Sequence, residues 1–245
     1  MKEPHLKSVY SIPAVENVCN QTLREAVTLP TCSIAHVAVK PYDVSLLHGH
    51  RKMAEIYFIL DGRGILYHGD KAMSVSTGAC LFIEPGTSHK LRNALDDDLE
   101  HLVVASPPFD ADDVHLIEDP GIEPILDSFE HRAPPIIAPD GATVYEMLSD
   151  EEKTAAKTQL AFGYLPPGKT ASLHKHNTSE EVYYILSGEG WIHLGDNGEQ
   201  WRINTGDIIY IPTGIWHGLH NEGTENLEVV CISSPAYTPE DFIPR

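Results

Sequence analysis

One pattern occurs twice in this 245-residue chain, and it constrains the fold more than any other feature. LHGHRKMAEIYFILDGRG at 47–64 aligns without a gap on LHKHNTSEEVYYILSGEG at 173–190. His48, His50, Glu55 and Gly62 map onto His174, His176, Glu181 and Gly188, each by an offset of 126. Downstream, STGACLFIEPGTSHKLRN at 76–93 maps onto NTGDIIYIPTGIWHGLHN at 204–221, now by 128, and LEHLVVASPPF at 99–109 continues that register onto LEVVCISSPAY. The chain is an internal duplication with one two-residue insertion, so it predicts two similar folding units.

Within each copy, short alternating apolar segments (SIAHVAV, EIYFIL, GILYH, CLFIE, HLVVA) are separated by Gly, Pro and Asp turns. This predicts antiparallel strands closed into a barrel or sandwich. Between the copies, residues 107–141 are rich in Pro and Asp, which break both helix and ladder. The expected division is an N-terminal barrel over 1–114, a connecting segment over 115–141 packed on the surface, and a C-terminal barrel over 142–245. Helix signal is confined to SDEEKTAAK, with Ser149 as cap and Glu152 at the capping-box position.

Composition narrows the function classes. A hydrophobic share of 42% supports packed cores, and no apolar run approaches the ~20 residues that span a bilayer. A formal net charge of −19 works against nucleic acid and anionic membranes as partners. The run Asp96-Asp97-Asp98-Leu99-Glu100 reads as a solvated loop. Cys19, Cys32, Cys80 and Cys231 show no CxxC spacing, and MKEPHLKSVYSIP has no apolar core of a secretion signal; both fit a reducing cytoplasm.

The repeated polar residues pose a chemical question. In an extended chain His48 and His50 point the same way, and Glu55 shares a face with Tyr57 and Ile59. A buried face that begins with a carboxylate requires a positive partner, because an unpaired buried charge costs several kcal/mol. By the same parity Lys90, Arg92 and His220 point away from their neighbouring motif histidine, leaving no inward cation to clamp a carboxylate or phosphate.

The two motifs resemble the cupin superfamily, in which Gly-x5-HxH-x3–4-Glu-x6-Gly precedes Gly-x5-PxG-x2-His-x3-Asn. The C-terminal copy matches throughout, with Gly168, His174, His176, Glu181 and Gly188, then Gly206, Pro212, Gly214, His217 and Asn221. The N-terminal copy matches His48, His50, Glu55, Gly62, Gly78, Gly86, His89 and Asn93, and departs at Tyr42 and Glu84. The resemblance covers nearly the whole chain and implies an all-β bicupin, two tandem jelly-roll barrels. It implies that His48, His50, Glu55 and His89, and likewise His174, His176, Glu181 and His217, converge on one divalent transition metal per barrel. Three imidazoles and a carboxylate suit Fe, Mn, Ni or Zn without choosing among them, and they leave coordination positions open for a ligand.

Tyr57 and Tyr183, facing inward beside the glutamates, are candidates to donate a hydrogen bond or proton, and their alternative role is packing. Glu84 is a candidate proton acceptor at the N-terminal mouth, and Trp216 either walls a pocket or covers the rim. His36, His68, His101, His115, His131, His193 and His220 fall outside the motifs and read as surface or strand residues. The resemblance points first to a dioxygenase or a decarboxylase/lyase acting on a small oxygenated metabolite. A sugar or sugar-phosphate isomerase or binding cupin, and a non-catalytic metal-binding cupin, are the alternatives. The complete C-terminal motif makes that barrel the expected seat of chemistry, unless Glu84 marks the N-terminal one. The halves are expected to face each other as a built-in dimer, and pairing of whole chains into a homodimer is compatible with this reading.

Overall fold

The alternating segments of both copies form strands. Among the described residues, apart from one short helix and a few 3-10 turns, the regular structure is all β. This computed structural model describes residues 3–121, 126–127 and 134–245. Two compact units share the chain, Ile12–His131 and Met1–Ser11 with Arg132–Arg245.

Each unit is a pair of sheets closed on a common core. In the first, one six-stranded sheet carries Thr22–Thr28, Ser33–Val39, Leu99–Ser106, Ala54–Asp61 and Cys80–Ile83. The other carries Val114–Leu116, His48–His50, His89–Asn93, Arg63–His68 and Lys71–Ser76. Tyr57, Ile59 and Leu81 from the first sheet pack with Leu66, Val75 and Leu91 from the second, so the core lies between them. The second unit repeats the arrangement with a seven-stranded sheet that includes Gln159–Leu165, Leu227–Ser234, Glu180–Ser187 and Asp207–Ile211. Opposite it stands a five-stranded sheet built from Glu199–Asn204, Glu189–Leu194, His217–His220, Thr170–His176 and Phe242–Pro244.

The insertion sits in a hairpin turn. Arg63–His68 and Lys71–Ser76 are joined through Gly69 and Asp70, whereas Glu189–Leu194 and Glu199–Asn204 are joined by residues 195–198. A turn outside the ladder takes up extra residues without moving the register of either strand. The departure from the motif glycine is accommodated locally. Tyr42 adopts φ 60°, the left-handed conformation that Gly168 takes at φ 71° in the other copy.

Two elements lie outside the repeat's division. His5–Ser8 pairs antiparallel with Asp207–Ile211 and covers the edge of the seven-stranded sheet, although it precedes the first copy in the chain. The connecting segment also joins the sheets. Val114–Leu116 pairs with His48–His50, Leu126–Asp127 runs parallel to Lys71–Ser76, and Ile136–Ile137 pairs with Thr143–Glu146. The rest of that segment, 122–125 and 128–133 with His131, lies outside the described residues.

The helix Asp150–Ala156 forms as its sequence predicts. Ser149 Oγ accepts from Glu152 N–H and Glu152 Oε2 accepts from Ser149 N–H at 2.7 Å, a closed capping box. No helix among the described residues is long and apolar enough to cross a membrane.

Candidate metal centres

In each unit three histidines come from one sheet and the glutamate from the sheet facing it. His48 and His50 occupy one short strand, and His89 pairs directly with His48 on its neighbour. Glu55 reaches them from Ala54–Asp61. In the second unit His174 pairs with His217, His176 follows on the strand of His174, and Glu181 comes from Glu180–Ser187. All eight side chains are buried, and within each group the candidate donor atoms lie within 4.8 Å of one another.

Hydrogen bonds to the backbone decide which ring nitrogen faces inward. His48 Nδ1 donates to Leu46 O at 2.8 Å, and His89 Nδ1 donates to Thr87 O at 3.1 Å. His174 Nδ1 donates to Ser172 O at 2.8 Å, and His217 Nδ1 donates to Ile215 O at 2.9 Å. A carbonyl can only accept, so each Nδ1 carries the proton and each Nε2 presents a free lone pair to the cluster. Such outer hydrogen bonds orient ligating histidines in metal sites generally.

Electrostatics divide the imidazoles around each carboxylate: burial lowers the pKa of His50 and His176, but Glu55 with Asp113, and Glu181 with Asp241, more than offset it and raise both above the ordinary value. Burial, followed by the neighbouring His89 and His217, lowers the pKa of His48 and of His174 to about 4. Burial pushes Glu55 and Glu181 upward, but the facing histidines more than offset it and hold both well below the usual carboxylate range. His89 Nε2 lies 3.0 Å from Glu55 Oε2, and His217 Nε2 lies 3.0 Å from Glu181 Oε2. His50 Nε2 stands 3.5 Å from Glu55 Oε1 and has no hydrogen-bond partner, a buried nitrogen facing the cluster. Two aligned nitrogens, a third imidazole nitrogen and one ionised oxygen fit one divalent metal per barrel, the positive partner that the glutamates require.

Two buried aspartates complete the sites and were missed in the sequence. Asp113 accepts from the N–H groups of Arg51, Lys52 and Met53, and Asp241 accepts from those of Asn177, Thr178 and Ser179. Each carboxylate ties down the turn that follows the histidine pair. Asp241 Oδ2 also stands 3.6 Å from His176 Nδ1. The signal was present: the 128 offset, continued past residue 109, places Asp113 on Asp241.

The remaining candidates fall in different places. Tyr183 Oη donates to Glu181 Oε2 at 3.1 Å, and burial and then the Glu181 charge push its pKa well above the ordinary value. Tyr57 is buried in the equivalent position beside Glu55 and is shifted the same way for the same reasons. Both phenols are therefore neutral donors. Glu84 is more than half exposed and stands 3.4 Å from His68. Trp216 sits beneath the cations of Lys175 and Arg245, at 4.9 and 5.6 Å from its ring. Lys90 points outward to Asp119. His36 and His101 lie in the strands Ser33–Val39 and Leu99–Ser106, one of the two placements expected, and both are buried, with His36 paired to Glu100 at 3.1 Å.

A cavity adjoins each cluster. About 180 Å³ opens beside His48, His50 and Glu55, and about 160 Å³ beside His174, His176 and Glu181. No Lys or Arg lines either cavity among the described residues. The walls differ. Ser233 and Cys231 approach Glu181 Oε1 at 3.1 and 3.4 Å, whereas Ala105 and Val103 stand at the matching positions by Glu55.

Known proteins resemble the chain in part or in whole. An uncharacterised protein of Methanocaldococcus jannaschii is 42% identical over 107 residues, 44% of this chain and 84% of that protein. An oxalate-binding protein of Thermotoga maritima is 43% identical over 68 residues, 28% of this chain and 54% of that protein. The solved structure of Lactobacillus farciminis oxalate decarboxylase in its formate complex superimposes with a TM-score of 0.72 at 19% identity, covering 98% of this chain and 88% of that one. That likeness concerns the fold, two cupin domains in one chain. Residues 35–105 and 161–233 each match the family described as the cupin domain, and the chain accordingly belongs to the cupin family as a bicupin.

Proposed function

We propose that the protein is a metal-dependent enzyme of the dioxygenase or decarboxylase type acting on a small oxygenated molecule. One observation carries this reading: each buried cluster of three imidazoles and a carboxylate opens onto a cavity, so a ligand can reach the metal position. A divalent metal held there supplies Lewis-acid or one-electron chemistry. The chain's own contribution is positioning. Nδ1–H donors fix the ring planes, and apolar walls exclude water. The neutral hydroxyl of Tyr183, or of Tyr57, is placed to give a hydrogen bond or proton to a bound oxygen.

We place turnover in the C-terminal barrel, at His174, His176, Glu181 and His217. Support comes from Glu181, whose two oxygens are held by Tyr183, Ser233 and Cys231. Glu84, exposed beside His68 and absent from the residues lining the cavity, takes no part in the proposed chemistry. The lack of a lining cation among the described residues counts against sugar phosphates as substrates. The four free thiols support a cytoplasmic location, and the exposed apolar edge strand Ile136–Ile137 supports pairing of whole chains as a homodimer, which light scattering reads.

The test is turnover by metal-loaded protein. Chains reconstituted with Fe, Mn, Ni or Zn are assayed for oxygen uptake and carbon dioxide release against catechols, flavonols, diketones and oxalate. Oxygen uptake with iron supports dioxygenation, and carbon dioxide release with manganese supports decarboxylation. Fully loaded protein that turns over none of them refutes the enzyme reading.

A further inference from the structure

The cavity of the N-terminal barrel holds two side chains with buried nitrogens that no group among the described residues satisfies. His101 is 1% exposed, lines the cavity with His48, His50 and Glu55, and neither of its ring nitrogens has a hydrogen-bond partner. Its ring packs against Tyr57 with centroids 4.7 Å apart, and burial, then His36, lowers its pKa to about 3. The neutral ring therefore offers one donor and one acceptor. Gln21 is 5% exposed and lines the same cavity. Asn17 Oδ1 accepts from the N–H groups of Cys19 and Gln21, which turns Asn17 Nδ2 toward Gln21 Oε1 at 3.1 Å. That bond fixes the amide of Gln21 and leaves its Nε2 as the orphan donor.

Neither group has a counterpart in the other copy. The 128 offset places His101 on Val229. Thr22 pairs with Ala38 as Thr143 pairs with Tyr164, so Gln21 occupies the place of Ala142. Val229 and Ala142 both line the C-terminal cavity, so the same wall is apolar there. Buried polar groups without partners destabilise a fold, and an apolar residue of the duplicate's kind would avoid that cost. Their retention on the lining of one cavity calls for a partner supplied from outside the chain.

We propose that the N-terminal barrel selects a ligand of its own: a small hydroxy- or oxo-carbonyl compound carrying at most one negative charge, its polar end received by His101 and Gln21. The absence of a lining cation among the described residues sets the limit on charge. This deepens the reading of a metal-dependent small-molecule site by naming the ligand class of one barrel. It requires a metal in that barrel and no turnover.

The test uses the full chain carrying His174→Ala, which removes a ligand from the other cluster, loaded with Mn²⁺ and titrated calorimetrically with glycolate and with acetylacetone. At least one probe binds, and both His101→Val and Gln21→Ala weaken that binding by tenfold or more. Manganese content is unchanged, and the ligand-free melting temperature of His101→Val is equal to or above that of its parent. Failure of both probes to bind the Mn²⁺-loaded parent overturns the proposal, as does an affinity that neither substitution changes. A fall in melting temperature for His101→Val makes that residue a packing element and also overturns it. Because binding is read without turnover, an inactive protein that behaves as expected refutes only the enzymatic reading.

Discussion

Replacing Asp241 by Ala tests whether the C-terminal metal centre is positioned by its buried carboxylate. The side chain accepts from the N–H groups of Asn177 at 2.9 Å, Thr178 at 2.7 Å and Ser179 at 3.0 Å. Asn177 and Thr178 are exposed and regain water when the carboxylate is removed, at about 0.5–1.5 kcal/mol each. Ser179 is 2% exposed, so its orphaned N–H costs about 1–3 kcal/mol. The expected destabilisation of the C-terminal unit is therefore about 2–6 kcal/mol, read as a lower urea midpoint. The turn also holds His176, whose Nδ1 lies 3.6 Å from the carboxylate, so metal affinity at that centre should fall about 10- to 100-fold. Competition with a chelator, followed by elemental analysis, should show one ion lost early and one retained. Equal retention of both ions refutes the positioning role, and equal loss of both refutes the independence of the two centres. The pH dependence has a defined sign. Burial pushes the Asp241 pKa up, but the bonds from Thr178 and Ser179 more than offset it and hold it below the ordinary value. Its contribution is thus present above the unfolded carboxyl pKa of about 3.9 and is lost as pH falls through the lower folded value.

Mildly purified protein should carry close to two divalent ions per chain, with His48→Ala and His174→Ala each removing one; a chain that stays metal-free after reconstitution with Mn, Fe, Ni and Zn refutes both centres. Gly190→Ala should destabilise by at least about 1–3 kcal/mol, because a Cβ there collides with the His220 carbonyl oxygen; an unchanged urea midpoint refutes that packing argument. Tyr42→Gly should stabilise by about 1 kcal/mol or less, since Tyr42 is 69% exposed at φ 60° and loses little packing while glycine relieves the left-handed conformation. A lower melting temperature for Tyr42→Gly would show that the ring contributes more than the strain it brings.

Much of this protein was legible without coordinates, because duplication turns chance matches into a register. An offset of 126 identified both histidine pairs and both glutamates, and an offset of 128 both downstream histidines. The period of 2 in strands then put Tyr57 and Tyr183 on the glutamate face. The helix was legible because a capping box is a local device of four residues. His101 and Gln21 were not. One sits five residues before the strand residue Ser106 and the other just outside Thr22–Thr28, with nothing in their own neighbourhoods to say which wall of which cavity they share. Asp113 and Asp241 act across about 60 residues of chain, on a turn that only closure of the barrel brings to them. The edge position of His5–Ser8 is equally nonlocal, since it depends on which strand of the C-terminal copy is left unpaired at the far end of the chain. Local spacing determines what a strand presents on each face; which faces meet, and which buried polar groups are left without a partner there, is decided only when the sheets close.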